Sequence, residues 1–176
     1  KKIYFDLDGT LFAYHQAVEK LVPDLAAIQC EKEYYDKVIE PWFGTDLFSS
    51  LEPLPLYHYL TEFVDNYPSF YLDNEVVFVS FVGHHEHTLN SIRHKNTSLY
   101  NWGISDYGPF IPLIGSYEDR ALLADKNSFL FDDHEYTIEL FRKNGGQGMV
   151  VQPYETNITQ EGYEIFSRTL DTFLES

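Results

Sequence analysis

Two stretches, EVVFVS (75–80) and SFLFDD (128–133), are nearly unbroken apolar runs that close on polar residues. A strand with one wet face alternates apolar and polar side chains, so continuous runs of this length suit strands covered on both faces of a parallel sheet. KIYFD (2–6), FIPLIG (110–115) and GMVVQP (148–153) are bounded by turn residues and read as companion strands. Helix-like stretches lie between them. LPLYHYLTEFVDNY (54–67) carries Leu56, Leu60, Phe63 and Val64 at helical spacing. Residues 85–102 follow, then EYTIELFRKNGG (135–146), where Gly145-Gly146 makes a helix stop, and TQEGYEIFSRTLDTFLE (159–175). The alternation predicts a three-layer α/β fold around a central parallel sheet.

Residues 13–53 break this rhythm. They include CEKEYYDKVIEPWF and no convincing strand, and are expected to form a small, mostly helical cap inserted after the first strand. Residues 1–12 and 54–176 would then make up the core domain, which suits a chain of 176 residues. There is no internal repeat. Fourteen Tyr and fourteen Phe are enough to fill a core and line a pocket as well.

Twelve basic against twenty-eight acidic residues give a net charge of −16. That field repels polyanions, so duplex nucleic acid and anionic membranes are not expected partners. A small anionic ligand needs a local cation or metal to receive it. One cysteine, Cys30, excludes an internal disulfide framework and suits a reducing compartment. No signal-peptide pattern or apolar run near eighteen residues appears, so a soluble, cytoplasmic protein is expected. The chain begins at Lys1 without Met, which suggests a trimmed start, and it leaves monomer and homo-oligomer equally open.

Ligands of an open α/β sheet gather at the carboxyl ends of its strands. Here those ends carry Asp6 and Asp8 (in YFDLDGTLF), Ser80, the stretch Ser116 to Arg120, and Asp132-Asp133. An Asp-x-Asp pair alone reads equally well as a strand-to-turn junction. Two acidic pairs at the carboxyl ends of strands in one parallel sheet converge instead, and stay ionised only beside a cation. Magnesium, a hard ion favouring oxygen ligands, is the natural choice.

DLDGTLF followed by FLFDD resembles the haloacid dehalogenase (HAD) superfamily of phosphotransferases, whose fold is a three-layer, Rossmann-like α/β core. LEPLP (51–55), VVFVS, a basic cluster, then RALLADKNSFLFDDHEYTIELFRKNGG resemble its 5′-nucleotidase branch, which includes the 5′(3′)-deoxyribonucleotidases. The resemblance implies a Mg²⁺-dependent phosphomonoesterase. Asp6 would attack phosphorus and form an aspartyl-phosphate. Asp8 would protonate the leaving alcohol and later activate water. Ser80 would bind phosphoryl oxygens. Asp132 would hold the metal with Asp6 and the backbone carbonyl of Asp8, and Asp133 would orient that set or pair with the basic residue.

The superfamily's lysine falls here on Arg120, with Lys126 as the alternative. Arg120 is favoured, because Lys126 stands at the entrance of its strand. Arg93 or Lys95 lies where the nucleotidases carry a further phosphate-binding lysine. Trp42, Phe43 and Phe48 fall in the expected cap, where they would either stack on a base or pack the cap onto the core. GHHEH (83–87) with His94 invites a metal reading, but lacks a partner cysteine and is better read as a loop near the substrate or a helix start. The leading expectation is hydrolysis of (deoxy)nucleoside monophosphates. Other small phosphate esters, nucleic-acid 3′-phosphate ends, or a silent phosphate-binding protein are the alternatives.

Overall fold

The computed structural model describes residues 1–176. Its strands stand where the apolar runs do: β1 (Lys2–Asp6), β2 (Glu75–Phe81), β3 (Phe110–Leu113), β4 (Ser128–Asp132) and β5 (Gln147–Val150). Every pairing is parallel, and the order is β3-β2-β1-β4-β5. The chain leaves β1 to one side for β2 and β3, then crosses back to β4 and β5. The reversal of winding therefore lies at β1 and β4, whose carboxyl ends open the crevice.

Eight helices follow in chain order: α1 (Tyr14–Leu21), α2 (Glu31–Tyr34), α3 (Glu40–Trp42), α4 (Pro55–Asn66), α5 (Phe70–Asp73), α6 (Thr88–Asn101), α7 (Glu135–Lys143) and α8 (Gln160–Glu175). Pro55, which needs no backbone donor, opens α4, and Leu56, Leu60, Phe63 and Val64 are buried as their spacing predicts. No helix is long and apolar enough to cross a membrane.

The pleat sorts each strand between two cores. Ile3, Phe5, Val76, Phe78, Phe129 and Phe131 face the larger one, shared with α4 and α8. Tyr4, Val77, Val79 and Leu130 face the smaller one, closed by Ile138 and Phe141 of α7. Phenylalanines tie the larger face together: Phe5 stacks on Phe131 at 5.0 Å, and Phe131 and Phe129 meet Phe166 and Phe173 of α8, each at 5.3 Å.

Residues 13–53 are helical and strandless, as expected. A π-helical turn, Tyr35–Ile39, joins α2 to α3, and short 3₁₀ turns flank them. The segment's buried side chains, Val18, Val22, Val38, Phe43, Leu47, Phe48 and Leu51, belong to the same apolar cluster as the sheet.

Candidate active site

Strand alternation dictates which polar groups meet. Asp6 follows Tyr4, and Asp132 follows Leu130, on the face of the smaller core, so both carboxyls emerge side by side at the sheet's carboxyl edge. The 3₁₀ turn Tyr117–Leu123, opened by a capping box at Ser116 and Asp119, lays Arg120 on that face. Arg120, with a side chain 7% exposed, bonds Asp6 Oδ1 through Nη2. Its Nε lies 3.2 Å from Asp132 Oδ2, too misaligned for a hydrogen bond, so both buried atoms lack a hydrogen-bond partner.

Ser80 points to the opposite face, where α6 packs. There Lys95, with a side chain 2% exposed, bonds Asp8 Oδ2, donates to Ser80 Oγ at 2.7 Å and to the carbonyl of Phe81 at 3.0 Å, and sits 4.4 Å over the ring of Phe48. Two buried cations thus serve two aspartates: Arg120 holds Asp6 and Lys95 holds Asp8.

The loop between them is built tightly. Leu7 accepts from the amides of Thr10, Leu11 and Phe12, and Gly9 N–H donates to Phe12 at 2.8 Å. Thr10 Oγ1 donates to Asp6 Oδ2 at 3.2 Å and accepts from the amide of Asp133 at 3.0 Å. Gly9 has φ +80°, and a Cβ there would sit 2.5 Å from Asp133 Oδ2 and 2.6 Å from His15 Nε2. Its bareness lets His15 reach Asp133 at 2.8 Å. That bond raises the pKa of His15 above the ordinary imidazole value.

Asp6, Asp132 and Asp133 each offer an oxygen within 4.8 Å of the others. Burial pushes Asp6 well above the usual carboxylate range, against the pull of Arg120. Burial also pushes Asp132 up to about 6, again with Arg120 opposing. Buried acids that resist ionisation, one with an oxygen lacking any hydrogen-bond donor, suit a hard dication with oxygen ligands. The carboxylate of Asp8 is turned to Lys95 and stands outside this triplet, which leaves its backbone carbonyl as the group the resemblance assigns to a metal.

These groups open onto a cavity of about 1010 Å³ lined also by Tyr14, Tyr34, Tyr35, Phe43, Phe48 and His85. Of the residues expected from sequence, Asp6, Asp8, Ser80, Lys95, Arg120, Asp132 and Asp133 come together, with Phe43 and Phe48 in the wall. Three do not. Lys126 lies exposed in the turn before β4, roughly 15 Å of strand from its carboxyl end. Arg93 is exposed on α6 two residues before Lys95, and positions two apart on a helix point to nearly opposite sides. Trp42 packs on the main core without lining the cavity. Phe48 lines the cavity with Tyr14 stacked on it at 5.8 Å and Lys95 over its ring.

The basic partner of Asp133 is His15, which the sequence does not single out; the only hint is its place six residues beyond Gly9. In GHHEH, His84 and His85 line the cavity, while His87 Nε2 faces Glu40 and Glu86 at 3.6 and 3.8 Å. His94 bonds Ser49 at 2.8 Å.

No protein-family model matches the sequence, and no curated protein matches it. Solved structures do match. A HAD-like family hydrolase from Xanthomonas campestris superposes with a TM-score of 0.58 at 14% identity, over 98% of this chain and 96% of that one. A HAD-superfamily hydrolase from Ehrlichia chaffeensis gives 0.53 at 11% identity, over 96% and 97%. A HAD-family enzyme from Bacteroides thetaiotaomicron, in complex with magnesium and inorganic phosphate, gives 0.50 at 12% identity, over 88% and 95%. At such low identity the likeness is one of architecture, and the five-stranded parallel sheet with its flanking helices has the Rossmann-like fold of HAD hydrolases.

Proposed function

We propose that the protein is a magnesium-dependent phosphomonoesterase that carries the phosphoryl group on Asp6 and acts on (deoxy)nucleoside monophosphates, with residues 13–53 as a cap over the site. The observation that carries this reading is the convergence of Asp6, Asp132 and Asp133 with the buried cations Arg120 and Lys95 at the carboxyl ends of parallel strands. The aromatic cavity beside them supports an uncharged, flat leaving group such as a nucleoside. The Bacteroides enzyme of the same fold binds magnesium and phosphate.

Asp6, Asp132 and Asp133 would hold the metal, with the carbonyl of Asp8. Bound there, magnesium supplies positive charge that keeps the carboxyls ionised and offsets charge on the phosphoryl oxygens. Asp6 attacks phosphorus as the bond to the leaving oxygen breaks, and Asp8 gives that oxygen a proton. Asp8 then takes a proton from the water that attacks the aspartyl-phosphate, and the bond from phosphorus to Asp6 breaks to release phosphate. Arg120 has five N–H hydrogens, more than its protein contacts use, and so has donors left for phosphoryl oxygens. Ser80 and Lys95 keep Asp8 against the site.

Asp6→Asn removes the nucleophile but keeps the shape. It should abolish phosphate release from every ester tested while thermal unfolding stays cooperative. An active Asp6→Asn protein overturns the mechanism. A phosphate-release screen over ribo- and deoxyribonucleoside 5′- and 3′-monophosphates and sugar phosphates tests the substrate; a preference for sugar phosphates overturns the nucleotide part.

A further inference from the structure

Two aromatic side chains of the cavity wall meet through their hydroxyls. Tyr14 opens α1, and Tyr34 closes α2 at the start of the π-helical turn, an uncommon element that gathers at functional sites. Their oxygens are 2.5 Å apart, and both residues line the cavity that holds Asp6 and Asp8. One hydrogen bond between two phenols uses one of their two hydrogens. Neither hydroxyl has another protein partner, so the second hydrogen is left for the occupant of the cavity. Burial raises both phenols above their ordinary pKa, which keeps both hydrogens in place at neutral pH.

The pair is held rigidly. Tyr14 stacks on Phe48 and meets Phe43 and His15 edge-on at 6.4 and 5.7 Å. Fixed positive charge is scarce around it. Apart from Lys95 and Arg120, which hold the aspartates, the cavity's one Lys or Arg side chain is Lys32, beside Glu31. Of the lining histidines, His15, edge-on to Tyr14, is bonded to Asp133, and burial lowers the pKa of His85. A second phosphate would find apolar rings there and no dedicated cation.

We infer that the Tyr14–Tyr34 pair determines the specificity of the site. It donates one hydrogen bond to an ether or hydroxyl oxygen of an uncharged, ring-bearing leaving group, and so selects monoesters whose far end carries no second phosphate. This rests on the phosphomonoesterase reading above.

The test compares kcat/KM for p-nitrophenyl phosphate, which has no sugar oxygen, with that for the four 2′-deoxyribonucleoside 5′-monophosphates. The Tyr14→Phe/Tyr34→Phe double variant removes both hydroxyls together, so no orphaned donor is buried and the fold is kept. The nucleotide-to-nitrophenyl ratio should fall about fivefold to tenfold, the worth of one neutral hydrogen bond. The wild-type protein should also favour 5′-monophosphates over 3′,5′-bisphosphates by more than about tenfold. An unchanged ratio overturns the assignment, as does better turnover of bisphosphates, or turnover of the nitrophenyl ester with none of any nucleotide. A wild-type protein inert on every ester overturns the phosphomonoesterase reading, and this one with it.

Discussion

Lys95 shows how much one residue's surroundings decide. Its three ammonium hydrogens are all placed, on Asp8, Ser80 and the carbonyl of Phe81, and its side chain is 2% exposed. A buried ammonium is stable only with such full satisfaction. Its service to Asp8 makes it a positioning residue for the proton that the leaving group needs. Lys95→Met keeps an unbranched side chain of similar length but frees Asp8 to turn away. A leaving group that departs without a proton, such as p-nitrophenolate, should then lose little in kcat/KM. An alkyl phosphate, which needs the proton, should lose about 10²-fold or more. Steady-state kinetics on the two esters check this, and equal losses on both contradict the role. Arg120 differs in kind, because its planar fork reaches Asp6 with Nη2 while Nε faces Asp132; a lysine has no such geometry.

The element that makes the site possible is the loop Asp8–Phe12. Gly9 adopts φ +80°, where an L-residue is strained by about 1–2 kcal/mol, and its missing Cβ leaves the path along which His15 meets Asp133. Gly9→Ala should therefore lower stability by about 1–3 kcal/mol and weaken Mg²⁺ binding by moving Asp133. Denaturant unfolding and a magnesium titration followed by calorimetry measure the two effects, and unaltered magnesium affinity argues against Asp133 as a metal-site residue. The loop also marks what a sequence discloses. Asp6 and Asp132 were legible because each ends an apolar run, and strand parity then sends both to one edge. The pairing of Lys95 with Asp8 was half legible: helical spacing forbids Arg93 and Lys95 from sharing a face, but only the fold selects Lys95. His15, Tyr14 and Tyr34 were not legible. Residues 13–53 wind through short helices, a π turn and Pro41 with no sustained period, so nothing in their spacing shows which side chains face the sheet.

Across the whole molecule, a net charge of −16 repels a phosphate ester unless the site itself reverses the sign. It does not do so unaided, since four aspartates face only Arg120, Lys95 and the imidazole of His15 there. Without metal, the excess is relieved by protons, and Asp132 titrates at about 6 instead of 3.8, chiefly through burial. Between those values the folded chain binds more protons than the unfolded one, so stability falls as pH rises. The contribution of Asp132 is whole below pH 3.8 and is lost by the time pH passes about 6. The amount is of order 1–3 kcal/mol. A dication takes the proton's place, so its binding must compete with protonation. The rise in Tm caused by Mg²⁺, at ionic strength matched with NaCl to remove surface screening, should be full above about pH 7 and vanish near pH 4–5. Asp132→Asn, which has no proton to displace and one ligand charge fewer, should show little magnesium shift at any pH. Scanning fluorimetry over that range, with and without Mg²⁺, measures both. A shift that is constant with pH, or that persists in Asp132→Asn, places the ion on the acidic surface and not among Asp6, Asp132 and Asp133.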